Sequence, residues 1–196
     1  MKKYFLALFF LIGILQISFS QDKKSNAPTS NKVKDIRDSV GIILSMPESK
    51  DKAKYLSRLG DIYRFSNADS AIFYFSLSEK VALKLNYEEF LPTIHNDLSF
   101  VYSRLKSNYS RSLYYAILSK KDNEAIGENS PSDDFYITIE YAYMGSKSKV
   151  EKFLEKIIPF VLSGNFNSEA ISKANTLVYI GEAYMRINEL DSALKY

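Results

Sequence analysis

The sequence has no cysteine and no tryptophan, a single histidine, and only seven glycines and five prolines in 196 residues. Without cysteine there is no disulfide, no thiolate nucleophile and no thiol-held metal. One histidine, His95, excludes every site that needs two imidazoles. So little glycine and proline speaks against a turn-rich sandwich or barrel. Charge of one sign is scarce as well. Setting aside Lys2 and Lys3, which fall in the amino-terminal segment, leaves 24 basic against 23 acidic residues. That balance exerts no bulk pull on nucleic acid or anionic lipid. What is present is the composition of a folded protein, 46% hydrophobic and 25% charged, which rules out disorder throughout.

The longest apolar run lies at the start. Met1-Lys2-Lys3 is followed by apolar residues from Tyr4 to Leu15, with the small residues Ser18 and Ser20 beyond. A short basic start, an apolar stretch and a small-residue exit read as an export signal over residues 1–20. At about 12 residues the run falls short of the roughly 20 that span a bilayer, so an uncleaved anchor is the alternative. Residues 21–30 turn to Lys, Ser, Asn, Pro and Thr, the composition of a disordered linker.

From Asn31 onward the apolar residues recur at helical spacing. Helices are expected over 31–46, 49–65, 69–85, 91–105, 109–126, 132–144, 147–163 and 168–187, with a last one starting near Leu190. Pro47 ends the first, and Pro92 suits the first turn of its helix, where no amide donor is needed. Ser130-Pro131-Ser132-Asp133 combines a cap, a first-turn proline and an acid near the positive dipole end. Pro159 should kink or finish its helix, because it cannot donate to the carbonyl of Glu155.

Self-comparison gives the organisation. Leu59-Gly60-Asp61-Ile62-Tyr63 recurs as Ile180-Gly181-Glu182-Ala183-Tyr184, and Asp69-Ser70-Ala71-Ile72-Phe73-Tyr74 as Asp191-Ser192-Ala193-Leu194-Lys195-Tyr196. The offsets are 121 and 122 residues, so both members of a helix pair are copied together. Two weaker copies lie between, with Leu98, Ser99 and Tyr102 in one and Ile139, Glu140 and Tyr143 in the other. The marker tyrosines are then Tyr63, Tyr102, Tyr143 and Tyr184, spaced by 39, 41 and 41 residues.

Leu56, Leu59, Gly60, Tyr63, Ala71 and Phe75, and again Leu177, Ile180, Gly181, Tyr184 and Ala193, resemble the tetratricopeptide repeat. The second copy departs with Ser99 at the glycine position and Ser112 at the alanine position, and the third with Glu140 where a small residue belongs. The resemblance implies an all-α fold, a right-handed superhelical array of antiparallel helix pairs (a TPR-like α-solenoid) with a period of about 40 residues over 31–196. It implies a protein–protein interaction scaffold, not an enzyme, that binds a protein or peptide segment in a concave groove lined by first helices. Carrying over the family's groove positions gives Ser57, Asp61 and Arg64, then Asn96, Phe100 and Ser103. The third and fourth repeats give Ile137, Tyr141 and Met144, and Val178, Glu182 and Met185. The basic clamp that some members use on acidic carboxy-terminal peptides is absent, since Ser57 and Asp61 replace its Lys and Asn. Exported arrays of this look are similar to the sensor regions of Gram-negative bacterial signalling proteins. That implies the periplasm or cell envelope, and as an alternative reading the amino-terminal sensor part of a histidine kinase or helix-turn-helix regulator. The fourth repeat reads as incomplete, and a following output part or membrane span is an expectation of the same analogy.

Chemistry is hard to find. There is no glycine-rich phosphate loop, no Gly-x-Ser-x-Gly and no His-Glu-x-x-His, so no catalytic, cofactor-binding or metal-ligating residues are expected. His95 reads as a packing histidine, since a ligand or base needs partners and Asp97 faces elsewhere on the helix. Asp133-Asp134 and Glu88-Glu89 read as helix-start charges, and Lys120-Lys121 as a solvated face. A rival reading, a helical-bundle enzyme using carboxylates, requires Asp61, Asp97 and Glu140 within mutual reach. The 15 tyrosines and 13 phenylalanines fall mostly at repeat-core positions and read as packing.

Overall fold

A computed structural model describes residues 40–128, 131–163 and 173–196, and among these all regular structure is helical. The expected signal, the linker, residues 31–39, Ser130 and 168–172 lie outside the described residues. In chain order the helices are α1 (Val40–Ser45), α2 (Lys50–Tyr63), α3 (Ala68–Lys84), α4 (Leu91–Arg104), α5 (Tyr109–Ala125), α6 (Pro131–Tyr143), α7 (Lys147–Leu162), α8 (Lys173–Arg186) and α9 (Leu190–Ala193). A 3-10 turn over Glu88–Phe90 leads into α4. The even-numbered helices start 41, 40 and 42 residues apart. Each packs on the helix after it, making four pairs, and α3, α5 and α7 also pack on the first helix of the next pair.

Local chemistry explains the boundaries. Ser49, Asn67 and Asn108 cap α2, α3 and α5, each side-chain oxygen accepting from the amide three residues on, which satisfies one of the orphan donors of the first turn. Lys52 closes α1 by donating to the carbonyls of Leu44 (3.0 Å) and Met46 (2.6 Å), where the helix dipole favours a cation. Pro92 sits in the first turn of α4. Helix α7 runs through Pro159 and ends at Leu162.

One constellation recurs in all four pairs. The amides of Asn67, Asn108, Ser146 and Glu189 donate to the carbonyls of Tyr63, Tyr102, Tyr141 and Tyr184 at 2.8–2.9 Å. An aromatic ring stands seven residues past each of those amides: Tyr74, Tyr115, Phe153 and Tyr196. Each lies beside the tyrosine of its own pair, with centroids 5.6–5.9 Å apart. The third marker tyrosine is therefore Tyr141, and the assignment to Tyr143 is two residues out of register. With Tyr141 in place the surrounding positions fall into line. Leu59, Leu98, Ile137 and Ile180 are buried four residues before the markers, and the small residues Gly60, Ser99, Thr138 and Gly181 three before. Thr138, not Glu140, occupies the small position of the third pair.

The small positions let the helices of a pair approach, to different degrees. A Cβ on Gly60 would lie 2.6 Å from the ring of Phe75, whereas one on Gly181 would meet only the Ala193 carbonyl at 3.4 Å and Tyr196 backbone at 3.9 Å. In the second pair Ser112 donates to the Ser99 carbonyl at 2.8 Å. Ser78 and Ser119, ten residues into α3 and α5, donate to the carbonyls of Ala53 (2.7 Å) and Pro92 (2.9 Å) at the start of the partner helix. Ile157 holds that place in α7 and is buried. The apolar core divides in two. One cluster joins the first two pairs around Phe75, Ile94, Leu98 and Val101, and the other joins the last two around Val150, Leu154, Val161 and Ile180.

Candidate functional site

Neighbouring first helices touch through a series of ionic, polar and aromatic contacts. It begins at Arg64, the residue that ends α2. Its guanidinium nitrogen Nη1 lies 3.1 Å from both Asp61 on its own helix and Asp97 on α4. The same guanidinium stands 4.6 Å from the Phe100 ring centre and 5.4 Å from that of Phe65. These two rings meet edge to face at 5.5 Å, and Phe65 is 76% exposed. The Nε of Arg64 is buried and makes no hydrogen bond. Asp97 is 8% exposed. Burial pushes its carboxyl up to about 7, with Arg64 pulling down and Asp61 pushing up. Burial likewise raises Asp61, against the pull of Arg64.

Further along, burial raises the Tyr136 phenol on α6, and the Asn96 side chain on α4 pulls it back. The last contact centres on Tyr143. Its ring stacks on Tyr109 at 4.8 Å, while the guanidinium carbons of Arg104 and Arg186 stand 5.4 and 4.2 Å from its centre. Arg104 donates to the Tyr143 hydroxyl, which donates to Glu182 at 3.0 Å. Arg186 reaches Glu182 at 3.4 Å. Burial raises the Tyr143 phenol, Arg104 opposing and Glu182 adding to it.

Of the residues expected to face a groove, Asp61, Arg64, Asn96 and Phe100 come into these contacts at one end, and Glu182 at the other. Met144, Val178 and Met185 are exposed, the first and last next in the chain to Tyr143 and Arg186. Ser57, Ser103 and Ile137 are corrected: all three are buried and offer a partner no surface. Tyr141 is corrected too, since its ring packs inside the third pair against Phe153 and beneath the Lys149 ammonium. Moving the third pair back two residues, to the register of Tyr141, does not restore a groove there, because the positions it gives, Phe135, Ile139 and Ala142, are buried as well. The residues missed were Phe65, Asp97, Arg104, Tyr136, Tyr143 and Arg186. Arg104, Tyr143 and Arg186 each stand two residues past a true marker tyrosine, so the period would have revealed them in the correct register.

His95 is 2% exposed, as a packing residue should be, but it has partners. Its Nε2 lies 3.1 Å from Glu79 on α3, and its Nδ1 is bonded to Asp122 on α5. Lys120 is no free solvated charge, since it pairs with Asp134. Asp133 accepts from the Asn123 amide at 3.0 and 3.1 Å. Glu140 is buried and its Oε2 makes no hydrogen bond. Burial raises its carboxyl to about 6, and the Ser103 and Ser112 hydroxyls and Arg104 pull it back. Asp61 and Asp97 thus share Arg64 while Glu140 lies elsewhere, so the three carboxylates of the enzyme reading do not converge. Among the described residues no three His, Asp or Glu side chains are grouped to hold a metal ion. No described helix is long and apolar enough to cross a membrane. A cleft of about 430 Å³ opens between α7 and the start of α9, floored by Leu154, Ile158 and Tyr184 and edged by Glu151, Glu155 and Glu189. It is separate from the contacts described above.

No family model and no curated protein matches the chain. Among solved structures, the crystal structure of BtubC (BKLC) from P. vanneervenii is similar, with a TM-score of 0.66 and 15% identity. The match covers 84% of this chain and 68% of that one. At this identity the likeness is one of fold.

Proposed function

We propose that this chain is an exported, non-enzymatic interaction scaffold. In this reading it is a right-handed superhelical array of antiparallel, tetratricopeptide-like pairs that binds a peptide segment of another protein along the face formed by its first helices. The observation that carries the reading is the run of contacts from Arg64–Asp97 through Arg104–Tyr143 to Tyr143–Glu182, which links one first helix to the next. A helix pair cannot bury its faces alone, so stacked pairs create an extended surface suited to a partner chain. Exposed Phe65 at one end, and Met144, Val178 and Met185 at the other, supply apolar anchors beside charged groups, the composition of a peptide-binding surface. The basic start, apolar run and small-residue exit of the amino-terminal sequence support export, and with the resemblance to Gram-negative sensor regions the proposed location is the periplasm or cell envelope.

The test places a photo-reactive amino acid at Phe65 or at Met185, with Tyr114 on the second-helix side as control. One defined partner should be captured from both first-helix positions and not from Tyr114. Purified partner should then lose at least tenfold in affinity to Phe65→Ala, a change at an exposed ring that leaves the fold intact. Equal capture from all three positions, or no effect of Phe65→Ala, would sink the reading. Sequencing the amino terminus of the envelope protein checks export, with a start near Gln21 expected.

A further inference from the structure

Helix α4 carries two buried titratable groups, two residues apart and therefore on different sides of the helix. His95 reaches outward to the second helices, touching Glu79 on α3 and Asp122 on α5. Asp97 reaches the first helix of the preceding pair, touching Arg64. Glu79 and Asp122 belong to different pairs, and one buried imidazole ring stands between them. A protonated ring donates from both nitrogens, one to each carboxylate, whereas a neutral ring has one donor only. Without the proton, a buried acceptor faces a carboxylate, and that contact turns from attraction to repulsion.

We propose that His95 is a proton-operated latch between the first and second helix pairs, closed when the imidazolium bridges Glu79 and Asp122 and loosened when it loses its proton. The other ring beside it is that of Tyr115, whose centroid is 5.9 Å away, and the Arg111 guanidinium lies over Tyr115 at 5.9 Å. Burial works against the charge on His95, but the bonds to Glu79 and Asp122 outweigh it and hold the ring above its ordinary value of 6.5. The sign follows. A group held above its unfolded value stabilises the fold fully below that value and ceases to do so as pH rises through the folded one. Asp97 changes in the same direction. Its buried carboxyl is uncharged in acid and ionises near 7, so rising pH also places a costly buried charge between Arg64 and Asp61. The consequence for the first-helix face at Arg64 and Phe100 rests on the proposed binding role, but the latch itself does not.

The chain has one histidine, so an untagged protein gives a single imidazole signal that needs no assignment. Titration followed by NMR should show a midpoint above 6.5. Amide exchange, corrected for its intrinsic pH dependence, should quicken at least tenfold more in α3 and α5 than in α7 across that midpoint. The double variant Glu79→Gln, Asp122→Asn should lower the midpoint below 6.5 and abolish the local change. If that variant does not fold, Asp122→Asn alone should lower the midpoint by a smaller amount. A wild-type midpoint at or below 6.5, or exchange that quickens equally in α7, would overturn the latch. Neither readout involves a partner, so a failure here is distinct from a failure of the binding proposal.

Discussion

The first two helix pairs and the last two solve the same packing problem with different side chains. In the first two, the second helix is fastened by serine hydroxyls: Ser78 to Ala53, Ser119 to Pro92 and Ser112 to Ser99. Glycine opposes a whole phenyl ring at Gly60 and Phe75. In the third pair Val150 and Ile157 stand where Ala71 and Ser78 stand in the first, so apolar bulk takes the place of the fastening hydroxyl. Between the two cores lies a polar seam where α5 and α4 meet α6, holding Asn123–Asp133, Lys120–Asp134 and the buried Glu140. The difference teaches that the recurring constellation fixes where helices cross, while what fills the crossing is free to vary. Hydrogen-bonded crossings specify geometry because an unpaired buried group is costly, whereas apolar crossings tolerate repacking.

The comparison is broken most severely at the glycines. Gly60→Ala drives a methyl group into the buried Phe75 ring and should cost about 2–4 kcal/mol in urea unfolding, at or above the usual range for overpacking. Gly181→Ala should change stability by less than about 1 kcal/mol in either direction, because its contacts are ordinary and alanine is the better helix former. Equal costs at the two sites would show that the pairs are not packed differently. Next in size is the seam. Glu140 has a folded value near 6 against an ordinary 4.5, so its own contribution to stability is most favourable below 4.5 and falls away as pH rises through 6. Glu140→Gln removes that one contribution and should be more stable than wild type at pH 7 by about 1–2 kcal/mol, at roughly 1.4 kcal/mol per pH unit of displacement. Stability curves that run parallel from pH 4 to 7 would show the carboxyl to be better solvated than its burial implies. The smallest effect is expected at Ser119→Ala, about 1 kcal/mol for a buried hydrogen bond. Ile157→Val, the nearest change in the third pair, should cost about the same through lost packing. The two separate on double substitution with Pro92→Ala or Leu154→Ala, where only the second couples by a shared cavity.

Helix positions were legible from apolar spacing, caps and prolines, and the starts of α2 through α7 lie within one residue of expectation. The register of the third pair was not. Residues 141 and 143 are both tyrosines, and the spacing of Tyr143 from its neighbours matched the expected period. The arbiter is the size of the residue three places earlier, Thr138 or Glu140, because only a small side chain fits a close crossing. Ser57, Asp61, Arg64, Asn96 and Phe100 were assigned by position alone, and position does not distinguish a side chain at the rim from one beneath it. The partners of His95 were hidden for another reason. Glu79 and Asp122 lie 16 and 27 residues away on other helices, and no local pattern links them.

The turns between paired helices hold a consequence for how such a chain diversifies. From marker tyrosine to capping amide the count is four residues in the first turn, six in the second, and five in the third and fourth, yet the stacked ring always comes seven residues after the cap. The second helix therefore takes its phase from the cap and is indifferent to how many residues the turn contains. An insertion or deletion there leaves every core contact downstream in place, so duplicated units can drift in length without drifting in fold. The same property marks the turns after Tyr102 and Tyr141 as the places to graft a foreign loop.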